Sequence, residues 1–133
     1  MRSALLLDSM EISRKRVLLV EDEPQSANAL ARLLRDDGYE VEVLYDGAAA
    51  IGRLTRDPLP DVLVTDVCIP HVDGLAVARY ARARSASMLL IFLTSYPQLL
   101  PARDGETPDA TVYTKPLDYS SLVRQLATGA ELR

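Results

Sequence analysis

Short unbroken apolar runs alternate along this chain with stretches whose apolar residues recur every three or four positions. Val17–Val20, Val62–Val64 and Leu89–Leu93 are such runs. Apolar runs of this length, bounded by turn formers, read as strands buried on both faces. After the first run, Ala27, Leu30, Ala31 and Leu34 follow helical spacing. Pro24 suits the opening turn of that helix, where its missing N–H costs nothing, and Gly38 suits its end. "YEVEVLYDG" alternates, with Val41 and Val43 on one face and acids on the other, as a half-exposed strand does. Asp46 predicts the cap of a second helix reaching about Arg56, with Ile51 and Leu54 inward and Pro58 and Pro60 beyond its end. Gly74 opens a third helix, Leu75 to about Arg84. Ala110–Thr114 reads as a fifth strand. Asp118 predicts the cap of a last helix that turns Leu122 and Leu126 inward and stops at Gly129.

Apolar central strands separated by amphipathic helices imply an α/β fold, a parallel sheet covered on both faces. With right-handed crossovers, five strands suit a doubly wound sheet of order 2-1-3-4-5. One connection is irregular. Between Ser95 and Asp109, Pro97, Pro101, Gly105 and Pro108 leave little room for a full fourth helix, so this segment should be the least regular of the fold. Residues 1–15 show no period and read as an N-terminal extension; 16–133 read as one domain.

Composition narrows the function. At 133 residues the chain can bury a real core without staples. Its net charge of −4 makes direct nucleic-acid binding a poor fit. The single cysteine, Cys68, allows no internal disulfide. No apolar run approaches the roughly 18–20 residues of a membrane span. The start of the chain is too short in apolar length and too acidic for a signal peptide, so a cytoplasmic location is expected.

In open α/β sheets the site lies outside the carboxyl ends of the strands, where the strand order reverses. Strand 1 delivers Glu21, Asp22 and Glu23 there. Strand 3 delivers Asp66, strand 4 Thr94 and Ser95, and strand 5 Lys115. Two carboxylates about 4 Å apart repel by roughly 4 kcal/mol at an effective dielectric of 20. Such a cluster does not serve stability. A hard divalent cation relieves it, and oxygen ligands with open water positions suit Mg²⁺. Lys115 favours an ionised Asp66. An ionised carboxylate is a nucleophile for phosphorus, and Mg²⁺, a lysine and a hydroxyl are the groups that bind transferring phosphoryl oxygens. Taken singly, each residue has a plainer role: Glu23 as a solvated turn residue, Asp66 as a cap, Thr94 as a strand end, Lys115 as a surface charge, His71 as a loop residue. Their joint arrival at four strand ends carries the inference.

The stretches "VLLVEDEP", "DVLVTDVCIPHVDG", "IFLTS" and "YTKP" resemble, in order and separation, the receiver domain of two-component response regulators. The resemblance covers about residues 16–129 and implies the flavodoxin-like receiver fold. It further implies that Asp66 accepts a phosphoryl group from a phosphohistidine on a sensor histidine kinase or phosphotransfer protein. Glu21, Asp22, Asp66 and the backbone carbonyl of Cys68 would hold Mg²⁺. Thr94 and Lys115 would bind the phosphoryl oxygens, Pro116 would follow a cis bond, and Pro70 and Gly74 would shape the loop after Asp66. The product is a signalling switch that catalyses only its own phosphorylation and dephosphorylation, and that acts on a downstream protein.

Two departures from the family pattern touch output. The switch aromatic expected three residues before the lysine is Val112 here, with Tyr113 one residue later on the opposite strand face. The proline-broken segment after Thr94 replaces a helix of the family's signalling face. These favour an alternative, a pseudo-receiver that serves as a phosphate-independent interaction scaffold; the intact acids, Thr94 and Lys115 oppose it. A haloacid-dehalogenase-like phosphatase would need a second acid two residues after the nucleophile, where this chain has Cys68.

Overall fold

A computed structural model describes residues 14–100 and 109–132. The elements are β1 (Arg16–Val20), α1 (Pro24–Asp36), β2 (Glu40–Leu44), α2 (Gly47–Leu54), β3 (Val62–Asp66), α3 (Gly74–Arg84), β4 (Leu89–Thr94), a 3-10 turn (Pro97–Leu99), β5 (Thr111–Thr114) and α4 (Tyr119–Leu132). The five strands are parallel, in the order β2-β1-β3-β4-β5. The expected architecture is therefore the observed one.

Alternation along each strand sorts the core into two layers. Val17 and Leu19 of β1, Val62 and Val64 of β3, and Ile91 and Leu93 of β4 pack against Leu30, Ala31 and Leu34 of α1 and Leu122 and Leu126 of α4. The intervening residues Leu18, Val20, Leu63, Leu90 and Phe92 pack on the other face against Ala50 and Leu54 of α2 and Val77, Ala78 and Ala81 of α3. Burying one such leucine or phenylalanine contributes about 1.5–3 kcal/mol. Between their ends the central strands β1, β3 and β4 are apolar but for the buried Thr65, whose hydroxyl donates to the Asp66 carbonyl at 2.9 Å.

The helix ends show where local chemistry agreed with the sequence and where it did not. Gly38 takes φ +99° after α1. Its N–H reaches the Arg35 carbonyl at 3.0 Å, and that of Tyr39 reaches Leu34 at 3.1 Å, closing the helix in a Schellman arrangement. Asp46 and Asp73 cap α2 and α3 through the amides of Ala49 and Ala76. Helix α2 stops at Leu54, short of Arg56, with the Thr55 hydroxyl donating to the Gly52 carbonyl at 2.7 Å. Helix α4 runs through Gly129 to Leu132. A glycine ends a helix when the chain needs a left-handed turn; inside a helix it costs only about 1 kcal/mol, and here the helix continues. The connection after β4 makes a single 3-10 turn opened by Pro97. The rest of the predicted irregular segment, 101–108, and residues 1–13 of the extension lie outside the described residues.

Candidate functional site

The sheet's hydrogen bonding places the polar residues at one rim. Glu21, one residue past β1, donates its amide to the Leu44 carbonyl of β2 at 3.1 Å. Asp66 is the last residue of β3 and pairs in register with Leu93. Thr94 ends β4, and its carbonyl accepts from the Lys115 amide at 2.9 Å. Lys115 thus leaves β5 directly beside the strand that carries Thr94. The Lys115–Pro116 bond is cis, as the family resemblance implied.

Glu21, Asp22 and Asp66 each offer a carboxylate oxygen, all within 4.8 Å of one another. Glu21 and Asp66 are buried, and Asp22 is exposed at the rim. Lys115 lies between the two buried acids, its Nζ 2.7 Å from Asp66 Oδ2 and 2.9 Å from Glu21 Oε1. Partial burial pulls the ammonium's pKa down, but the hydrogen bonds and charges of Asp66 and Glu21 outweigh it and leave the pKa above its ordinary value. Three acids against one lysine leave a local negative excess. The donor set is all oxygen with one ligand open to solvent, which suits a hydrated hard cation such as Mg²⁺.

Thr94 is 2 % exposed, and its hydroxyl oxygen accepts from the Tyr96 amide at 2.9 Å. That bond leaves the hydroxyl proton to donate elsewhere. Glu23, read from sequence as a solvated turn residue, is exposed before α1 and also caps that helix. Its carboxylate accepts from the Ser26 amide at 2.7 Å, and the Ser26 bonds hold it below the usual carboxylate range. Glutamate is not among the preferred capping residues, so only the following Pro24 hinted at this.

The loop after Asp66 answers to Gly74. A Cβ there would lie 2.1 Å from the Asp66 carbonyl oxygen, so only glycine lets α3 start this close to the end of β3. Its amide donates to the Val67 carbonyl at 2.8 Å. Cys68 and His71 sit exposed in this loop. His71 has φ +73°, and its Nδ1 lies 3.8 Å from Asp46 Oδ2, which makes it a loop residue facing a helix cap. On β5, Val112 is 39 % exposed while Tyr113 packs inward, its hydroxyl donating to the Gln125 side chain and to the Ser121 carbonyl. The one-residue displacement seen in sequence is thus a real change of face.

Residues 17–127 match the response regulator receiver domain family. The chain is 39% identical over 112 residues to the transcriptional regulatory protein TrcR of Mycobacterium tuberculosis, covering 84% of this chain and 43% of TrcR. It is 33% identical over 113 residues to the response regulator receiver protein CpdR of Brucella abortus, covering 84% of this chain and 93% of CpdR. The chain therefore spans under half of the first relative and nearly all of the second. Among solved structures, TrrA of Thermotoga maritima in complex with Mg²⁺-BeF superposes with a TM-score of 0.74 at 26% identity, over 86% of this chain and 98% of that one. Fold, motif order and matched length converge: the chain belongs to the receiver domains of two-component response regulators, which are signalling switches and not classical enzymes.

Proposed function

We propose that Asp66 accepts a phosphoryl group from a phosphohistidine of a sensor histidine kinase or phosphotransfer protein in a Mg²⁺-dependent step, and that the phosphorylated chain switches its binding to a downstream protein. The observation that carries this reading is the convergence of Glu21, Asp22 and Asp66 within 4.8 Å, with Lys115 bonded to both buried acids. A carboxylate oxygen of Asp66 attacks phosphorus as the P–N bond breaks, and that electron pair returns to the donor imidazole. Lys115 turns from Asp66 and Glu21 to the arriving phosphoryl oxygens, and Thr94 donates its hydroxyl proton to one of them. Glu21, Asp22 and Asp66 would hold Mg²⁺ with the Cys68 carbonyl, and the bound cation would supply charge neutralisation on the transferring group.

The kinship with TrrA, which was solved with Mg²⁺-BeF, supports the same chemistry. The exposed Val112 favours the second reading, a scaffold that keeps the fold without phosphate control. Titration with Mg²⁺ and then beryllofluoride separates the two. Amide resonances of Asp66, Thr94 and Lys115 shifting in saturable fashion support the switch; a spectrum unmoved by both reagents favours the scaffold.

A further inference from the structure

Gly47 opens α2, yet nothing in the helix itself calls for glycine there. It has no left-handed φ, and Asp46 already caps the helix. Alanine is the better helix former. The reason lies across a gap, in the loop after Asp66. A Cβ on Gly47 would sit 1.6 Å from the Val72 carbonyl oxygen, 2.6 Å from its carbon and 2.9 Å from Val72 Cβ. The Gly47 amide, which has no partner within its own helix at that position, donates to the Pro70 carbonyl at 3.1 Å. Gly52, in the same helix, has open space where its Cβ would be.

We propose that Gly47 is a positioning residue for the metal site: flush contact with Pro70 and Val72 holds the loop that follows Asp66 in its binding-competent shape. This rests on reading that loop as part of the Mg²⁺ site. The loop is fixed from both sides. At Val67 and Asp66 it lies against Gly74, which leaves no slack, and Val67, Ile69 and Val72 pack into the core layer under α2 and α3. A methyl group at position 47 therefore displaces residues 68–72, including the Cys68 carbonyl, and not α3.

The test compares Gly47→Ala with Gly52→Ala. Mg²⁺ affinity is measured by calorimetry on the full chain, with circular dichroism checking that both variants are folded. Removing a support behind a metal site typically costs about 10-fold or more in affinity. We expect a loss of about that size for Gly47→Ala and none for Gly52→Ala, with labelling by a small acyl phosphate restored when Mg²⁺ is raised to saturation. A folded Gly47→Ala with wild-type Mg²⁺ affinity overturns the proposal. If Gly47→Ala does not fold, the wild-type chain decides: the Gly47 amide resonance should move with Mg²⁺ while that of Gly52 stays, and an unmoved Gly47 amide overturns the proposal. A wild-type chain whose Asp22 and Asp66 amides ignore Mg²⁺ overturns the metal reading itself; a normal wild-type response beside an unaffected Gly47→Ala fells only the role of Gly47.

Discussion

At the scale of single residues, the site is a charge problem that Lys115 half solves. It spans Glu21 and Asp66 at 2.9 and 2.7 Å, offsetting two acids while Asp22 remains at the rim. Because the folded chain raises the lysine's pKa above its ordinary 10.5, the stability it contributes is full below that value and lost as pH rises through the folded value. Wild-type stability should therefore fall on strongly alkaline titration, a component that Lys115→Met lacks. At neutral pH that variant, left with two facing carboxylates, should unfold at lower urea concentration, and Mg²⁺ should recover part of the loss. Equal alkaline profiles for the two proteins would contradict the bridge. The acids and the lysine were legible in sequence because each follows an apolar run. The predicted strand order brought them to one rim, but that Lys115 bonds Glu21 as well as Asp66 was not legible, since it depends on side-chain geometry. Glu23 was missed as a cap, and Gly47 as a loop support, because neither residue type announces its role locally.

At the scale of elements, the hydrophobic pattern located each strand and helix core among the described residues, and the misses fall at helix ends. Helix α2 is shorter than its pattern allowed, and α4 passes Gly129, because end positions depend on weak local bonds that tertiary contacts override. Two ties hold the elements in place. The Tyr119 hydroxyl at the start of α4 donates to Asp37 Oδ2 at the end of α1, at 2.7 Å. Tyr119→Phe should cost about 1 kcal/mol in urea denaturation. Phe92, fully buried in β4, is the chain's single phenylalanine, and Phe92→Ala should cost about 3–5 kcal/mol by the same assay. The other tie bears on output. Tyr113 is held inward by Gln125 and Ser121, and Val112 faces solvent where a switching aromatic is expected. Beryllofluoride should therefore leave the near-ultraviolet dichroism of Tyr113 unchanged, as judged by difference from Tyr113→Phe. A change confined to the wild-type spectrum would show that the tyrosine does switch.

At the scale of the molecule, the fold was readable nearly whole. Buried runs, amphipathic helices and short connections allow few parallel arrangements, and order 2-1-3-4-5 brings four strand ends to one rim. That convergence makes binding and folding one equilibrium. A ligand held only by the folded rim stabilises the whole chain by about 2.7 kcal/mol at a hundredfold excess over its dissociation constant. Mg²⁺ with beryllofluoride should therefore raise the thermal midpoint of the wild-type chain but not of Asp22→Ala. The proposed function turns on Asp66 as the phosphoryl acceptor. Its most direct test is labelling of the wild-type chain, Asp66→Asn and Asp22→Ala by a small acyl phosphate, with and without Mg²⁺, read by mass spectrometry before and after hydroxylamine. One hydroxylamine-labile phosphate is expected on the wild-type peptide that contains Asp66, dependent on Mg²⁺ and absent from both variants. Phosphate appearing on Asp66→Asn at the wild-type rate, or none on a wild-type chain saturated with Mg²⁺, would contradict it.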